Sequence, residues 1–413
     1  MKMMLIFLLV IALMLGGCTA QSIHNTAQHK AELKAQAVAP LDAPFVAAVN
    51  GFGFNTAKAL YQTDKNLALS PAGMELALCM TYTGAAGDTA AEMAQVLGIS
   101  GLKDSDITSA CRALMWRVNT GGMEAANAIW LSDKYTFSDA FVNTCANDFF
   151  ADAYPLIIPG AKDAINKWAE DKTHGRVKDI VTEELPIESR IVLANALYYL
   201  GDWALPFEAN DTYDEEFAAP SGSVKTAFMH SDRSVPYYKN DDFSMITLNF
   251  KGSDDEGKYA MAFLLPAEGS DVKSLLQKLD ANVFSSALAS AQDQEVLIKL
   301  PKFEFAYFTK LKDTLAAMGM GKALSPTEAD FSAMTNEENQ IYIDEVLHKC
   351  YIRVDELGAE AAAVTVVIAV EGAAMPTEEP PTFYADRPFV FAIYSQEDGT
   401  IAFIGAVNDP TTE

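Results

Sequence analysis

Between Ala359 and Val370 the chain carries a single charge, Glu360. Written as a strand, one face presents Ala359, Ala361, Ala363, Thr365, Val367 and Ala369, all small and uncharged. The other presents Glu360, Ala362, Val364, Val366, Ile368 and Val370, because successive side chains alternate across a pleated backbone. Such a strand suits the middle of a sheet packed over helices. Its borders ask for something else. Glu371 and Gly372 follow, and then Met375-Pro376-Thr377-Glu378-Glu379-Pro380-Pro381 has the composition of an exposed loop. Two arrangements satisfy both demands: a segment that is a loop first and a strand later, or a permanently buried strand followed by a proline-rich turn. Periodicity does not separate them.

A chain with such a segment needs a large core to receive it. Half of the 413 residues are hydrophobic and 21% are charged, which excludes a disordered or fibrous polypeptide. Acidic residues number 56 against 30 basic ones, a formal charge of −26. That surface repels nucleic acid and anionic headgroups, so neither is expected as a direct partner. Lys2, the apolar run Met3–Leu15 and Gly16-Gly17-Cys18 form a leader too short to span a bilayer. Leu15-Gly16-Gly17-Cys18 resembles the lipobox of bacterial-type lipoproteins, which implies cleavage before Cys18 and acylation of its thiol. The expectation is an exported chain, anchored to the cell envelope (outer membrane or cell surface) through its N-terminal lipid only. Residues 1–17 are then signal peptide and 18–42 a lipidated cysteine with a flexible tether. No linker or repeat divides 43–413, which is expected to form one domain. Cys79, Cys111, Cys145 and Cys350 show no CxxC spacing and no accompanying histidine cluster. Neither a metal site nor an essential disulfide is expected, and no cofactor.

Ala43–Tyr61 and Pro71–Thr83 carry apolar residues at helical spacing, Asp88-Thr89 reads as the cap of a helix to Leu97, and 161–173 as another helix. Segments 191–199, 259–266, 295–301, 389–394 and 401–407 read as strands, with helices at 271–280 and about 308–318. A helical first third followed mostly by strands, without regular βαβ spacing, predicts an α+β fold with antiparallel or mixed sheets. The dinucleotide, phosphate-loop, zinc-protease and nucleophile-elbow motifs are all missing from the sequence. His348 is flanked by apolar strand residues, where a lone histidine is more often a satisfied core group than a base. No nucleophile or orienting acid can be placed beside it from sequence.

The chain resembles the serpins over nearly all of residues 43–410. The resemblance is carried in order by Asn66-Leu-Ala-Leu-Ser70-Pro71, Thr89-Ala-Ala-Glu-Met93, Ala126-Asn127-Ala128, Ile165-Asn-Lys-Trp168, Leu193-Ala-Asn195-Ala-Leu-Tyr-Tyr-Leu-Gly201-Asp-Trp203, Leu300-Pro-Lys-Phe303, Val346-Leu-His348-Lys349, Asp386-Arg-Pro-Phe389 and Phe403-Ile-Gly405. It implies about nine helices and three β-sheets, with a reactive-centre loop at about 357–381 exposed as bait. A target serine protease cleaves the loop and is held as a covalent acyl complex, while the loop inserts as a new strand of the main sheet. The family is itself a standard example of strand addition and stored-strain release. The implied partner is that protease, the inhibitor a monomer and not an enzyme.

Further residue roles follow from the resemblance. Glu356, Gly358, Ala359, Glu360, Ala361, Ala362 and Ala363 are the hinge. Ser70, Asn195 and His348 are the shutter at which the sheet opens, and Trp203 and Lys349 fall where the family's breach lies. Hinge length places the scissile bond at Gly372–Ala373, with Glu371, Ala374 and Met375 as alternatives. No Lys or Arg lies between Arg353 and Arg387, so trypsin-like targets, whose pocket takes a cation, are not expected. A small residue before the bond suits elastase-like proteases. This chain departs from the pattern at Gly73, where the family usually has a second serine, at Leu200 for the usual lysine, and at Leu357 within the hinge. The alternative is a non-inhibitory serpin acting as a surface binding or carrier lipoprotein.

Overall fold

The computed structural model describes residues 41–120, 123–199, 201–251, 258–335, 341–359 and 379–412. Its helices, in chain order, are α1 (Ala43–Leu60), α2 (Pro71–Tyr82), α3 (Gly87–Leu97), α4 (Asp104–Thr120), α5 (Asp139–Asp148), α6 (Ala161–Lys172), α7 (Val272–Lys278), α8 (Ala281–Ser290) and α9 (Lys312–Met318). The strands are β1 (Leu67–Leu69), β2 (Met123–Ser132), β3 (Asp152–Leu156), β4 (Ile191–Tyr199), β5 (Gly201–Asp202), β6 (Thr212–Ala219), β7 (Gly222–Lys239), β8 (Phe243–Asn249), β9 (Tyr259–Pro266), β10 (Gln292–Pro301), β11 (Phe303–Lys310), β12 (Ile343–Val354), β13 (Gly358–Ala359), β14 (Thr382–Tyr384), β15 (Phe389–Ser395) and β16 (Ile401–Val407). The α+β class holds, with nine α-helices and three sheets among the described residues.

The sheet that matters for function runs β11-β12-β4-β2-β3. Its central pair, β12 and β4, is parallel, with His348 opposite Asn195. β11 is antiparallel to β12, and β2 is antiparallel to β4. β4 is buried along its whole length, as IVLANALYY demands. One face of the sheet lies on α2, itself buried at every position from Pro71 to Thr81. A helix apolar on every side but for Glu75 belongs in a core, and Ser70 and Pro71 start it there: Ser70 Oγ accepts the Gly73 amide at 2.9 Å. The opposite face is covered by α6, where Trp168 meets Trp130 edge-on at 5.3 Å over Ala194, Ala196 and Leu347. The second sheet, β1-β16-β15-β9-β8-β7-β10-β14 with β6 on β7, closes the rest of the core.

Three local expectations need correction. The first third is not all helix: Leu67–Leu69 and Met123–Ser132 are strands. The alanines of β2 have helical propensity, but the segment is paired on both edges in the sheet, and tertiary pairing overrides propensity. The helix expected at about 308–318 begins only at Lys312, because Phe303, Phe305 and Tyr307 alternate as β11. The helix expected at 271–280 is present as α7, and α8 follows it; Asp271 and Asp280 start the two, each accepting an amide three residues on. Asp88 and Thr89 do not cap α3, which starts at Gly87; Asp88 pairs with Lys322 and Thr89 Oγ1 accepts the Asp330 amide.

Candidate functional site

The site is built where β12 and β4 meet above the N-terminus of α2. His348 is fully buried, and its Nε2 accepts the Ser70 amide at 3.0 Å. Burial pushes its pKa down to about 3, so the ring is neutral. Asn195, opposite it on β4, donates through Nδ2 to Asn127 Oδ1 at 2.8 Å. A Cβ on Gly73 would stand 2.5 Å from Asn195 Oδ1, so glycine there is what lets Asn195 lie against α2. The structure thus brings Ser70, Asn195 and His348 together. It also supplies a nucleophile that sequence did not place beside His348: Cys350 Sγ is 3.2 Å from Nε2. That pair is not an active site. Both side chains are at 0% exposure, burial pushes the thiol up, and the same Nε2 already accepts from Ser70.

A second cluster sits where β4 ends. The Trp203 ring stacks on Phe250 at 4.6 Å, and its Nε1 donates to the Asp355 carbonyl at 2.9 Å. The backbone amides of Trp203 and Phe207 donate to the carbonyls of Leu357 and Glu356 at 2.7 and 2.8 Å. The Asp355 carboxylate accepts the amides of Leu357 and Gly358 at 2.9 and 3.3 Å. Glu356 Oε2 pairs with Lys302 Nζ at 2.7 Å. Burial raises the Glu356 carboxyl, but the Lys302 hydrogen bond and neighbouring donors outweigh it and hold it below the ordinary range. Gly358 has φ +144°; a Cβ there would lie 2.1 Å from the Gly201 carbonyl oxygen, so no other residue fits this bend.

Lys349 does not belong to this cluster. It follows His348 on β12, opposite Ala196, and Nζ donates to the Lys178 carbonyl in the segment after α6. The lysine beside the Trp203 cluster is Lys302, which sequence reasoning quoted in Leu300-Pro-Lys-Phe303 and did not single out. Asn127, quoted in Ala126-Asn127-Ala128, was not singled out either, and Asp355 and Phe207 were missed. Glu360, Ala361, Ala362, Ala363, Glu371, Gly372, Ala373, Ala374, Met375, Leu200 and Cys18 lie outside the described residues. Among the described residues, no helix is long and apolar enough to cross a membrane.

The geometry defines a class: an α+β protein whose main sheet holds one parallel central pair, with a segment hinged at the mouth of that pair. The comparisons give the family. The family model described as Serpin (serine protease inhibitor) matches residues 47–410. A serpin-like protein of Thermococcus kodakarensis is 36% identical over 376 residues, 89% of this chain and 86% of its own. Intracellular coagulation inhibitor 2 of Tachypleus tridentatus is 30% identical over 373 residues, 88% of this chain and 90% of its own. The native-state crystal structure of tengpin, a thermophilic serpin, superposes with a TM-score of 0.83 at 28% identity, covering 94% of this chain and 99% of that one. The chain belongs to the serpin family, whose members are generally protease inhibitors rather than enzymes.

Proposed function

We propose that this serpin is a suicide-type inhibitor of serine proteases with elastase-like, small-residue preference. It is cleaved at Gly372–Ala373 and inserts its loop between β12 and β4. One observation carries the reading. Gly358 and Ala359 already pair antiparallel with Asp202 and Gly201, the continuation of β4. Extended residue by residue, that register sets Thr365 opposite Asn195. The bend on the other side has its own register: the Asp355 amide donates to the Gly358 carbonyl at 3.0 Å, and extending it sets Thr365 opposite His348. Asn195 and His348 face each other now, so the two registers close on one residue. An inserted strand would replace one parallel ladder with two antiparallel ones, the better-bonded arrangement. It would turn Ala361, Ala363 and Thr365, small and uncharged, toward α2. Export and anchoring through acylated Cys18 belong to the same proposal and rest on the leader sequence.

The test mixes the protein with serine proteases of differing pocket preference, elastase-like ones included, followed by denaturing gels and mass spectrometry of the released peptide. A covalent band and a peptide beginning at Ala373 are expected. Cleavage in the loop without any covalent band would overturn inhibition in favour of a binding or carrier role. A peptide beginning elsewhere would move the scissile bond.

A further inference from the structure

Two exposed tyrosines lie on one face of the second sheet. Tyr213 on β6 is 51% exposed and Tyr384 on β14 is 39% exposed. Residues opposite each other on paired strands share a face, and the registers connect the two. Tyr384 is opposite Lys299 of β10, and Lys299 is opposite His230 of β7. Phe228, two residues before His230 and therefore on the same face, is opposite Tyr213. Three strand spacings, about 14 Å, separate β6 from β14. The centre of the face is held by ionic contacts. Glu215 Oε1 lies 2.6 Å from His230 Nε2, its Oε2 accepts from Lys299 Nζ, and that ammonium sits 4.5 Å from the Phe228 ring centroid. The Tyr213 ring lies 5.4 Å from that of His230, and its hydroxyl donates to Asp211.

A single exposed tyrosine needs no explanation; the position of this pair does. The chain that carries Gly372–Ala373 leaves and returns at the two ends of the β10 row containing Lys299. On one side Glu356 pairs with Lys302, whose amide donates to the Ala227 carbonyl beside Phe228 at 2.9 Å. On the other, the Leu297 amide donates to the Pro381 carbonyl at 3.0 Å. Leu297 and Lys302 stand about 17 Å apart along the strand direction. From Ala373 to Thr382 the chain can span at most about 30 Å. A globular domain of roughly 200 residues is about 40 Å across, so a protease gripping the bond is wide enough to reach the face.

We propose that Tyr213 and Tyr384 form a second contact for the target serine protease, outside its substrate cleft, that speeds capture. The proposal rests on cleavage at Gly372–Ala373 by a serine protease, not on insertion of the loop. Tyrosines presented by a rigid, ion-paired sheet lose little side-chain freedom on binding and are favoured anchors of protein interfaces. The contact lies off the β12–β4 pair, so it acts on encounter and leaves the later rearrangement alone.

The experiment compares the full chain with Tyr213→Ala, Tyr384→Ala and the double variant against pancreatic elastase. Elastase whose catalytic serine is replaced by alanine reads affinity without cleavage; active elastase reads the association rate and the stoichiometry of the covalent complex. The double variant is expected to bind the inactive protease about tenfold more weakly. Association with the active protease should slow by a similar factor, at unchanged stoichiometry and melting temperature. Ile187, 58% exposed ahead of the start of β4 and so away from the hinge at its other end, should tolerate alanine without effect. Should Tyr384→Ala loosen β14, Tyr213→Ala carries the test alone. Unchanged affinity and rate in Tyr213→Ala, or an equal loss in Ile187→Ala, would overturn the contact and leave inhibition standing. Cleavage of the parent without a covalent band, with inactive elastase still bound more weakly by the variants, would overturn inhibition and support the contact. No binding of inactive elastase by the parent would overturn both the elastase-like preference and the contact. Self-association of the parent that the substitutions abolish, with elastase binding unchanged, would overturn the assignment in favour of a second copy of the chain.

Discussion

Ala359 and His348 each make a claim that one substitution or one proton can test. Ala359 closes the first pairs between hinge and sheet, so a charged side chain there must be desolvated before insertion proceeds, at several kcal/mol. Ala359→Arg is expected to be cleaved by the target protease without forming an SDS-stable complex; retained complex formation would contradict the insertion register. His348 titrates in the opposite sense from a paired group. Its folded pKa is pushed down to about 3 from 6.5, so its contribution is complete above 6.5 and is lost as the pH falls toward 3. Over that window it removes about 1.4 kcal/mol of stability per pH unit. In urea titrations, His348→Gln should flatten the acid limb by that slope relative to the parent. Identical slopes would mean that the buried imidazole is not the acid-labile group.

Between the hinge and the sheet, the contact that has no local sequence signal is Lys302–Glu356. Its partners lie on β11's approach and on the chain leaving β12, and no periodicity links them. The lysine side chain is 38% exposed, so the pair is worth on the order of 1 kcal/mol. It ties the chain leaving β12 to the start of β11. Lys302→Ala should leave melting within a few degrees of the parent while raising amide exchange at Leu357 and Gly358; unchanged exchange would show that the Trp203, Phe207 and Asp355 hydrogen bonds suffice. Glu356 is held below its ordinary value of 4.5, so the clamp is intact above that pH and released as pH falls through the lower folded value. Elements with long, mostly apolar runs, α2 and β4, were legible from sequence because burial on every side leaves that mark. β2 was not, since its alanines suit a helix as well as a strand. The grouping of Ser70, Asn195 and His348 was legible only through family resemblance: they are spread over 278 residues from first to last, and only the sheet register brings them together. The same register moved Lys349 away from Trp203, one residue having turned its side chain to the α6 face.

For the molecule as a whole, the described native state and the proposed cleaved state differ by one strand in the main sheet. The parallel β12–β4 pair has α2 with Ser70 on one face and α6 on the other, and Gly358 and Ala359 already pair with Asp202 and Gly201 at its upper end. Cutting Gly372–Ala373 would free the segment from the pull of β14, which is fixed on β10, and allow pairing to run down between β12 and β4. The most direct measurement is therefore made on the protein cleaved once in the loop: amide hydrogen exchange of residues 359–371, together with its melting temperature against the uncleaved chain. Insertion predicts strong protection of that segment centred on Thr365, added protection in β4 and β12, and a melting temperature raised by more than about 10 °C. Free exchange of 359–371 with an unchanged melting temperature would contradict it.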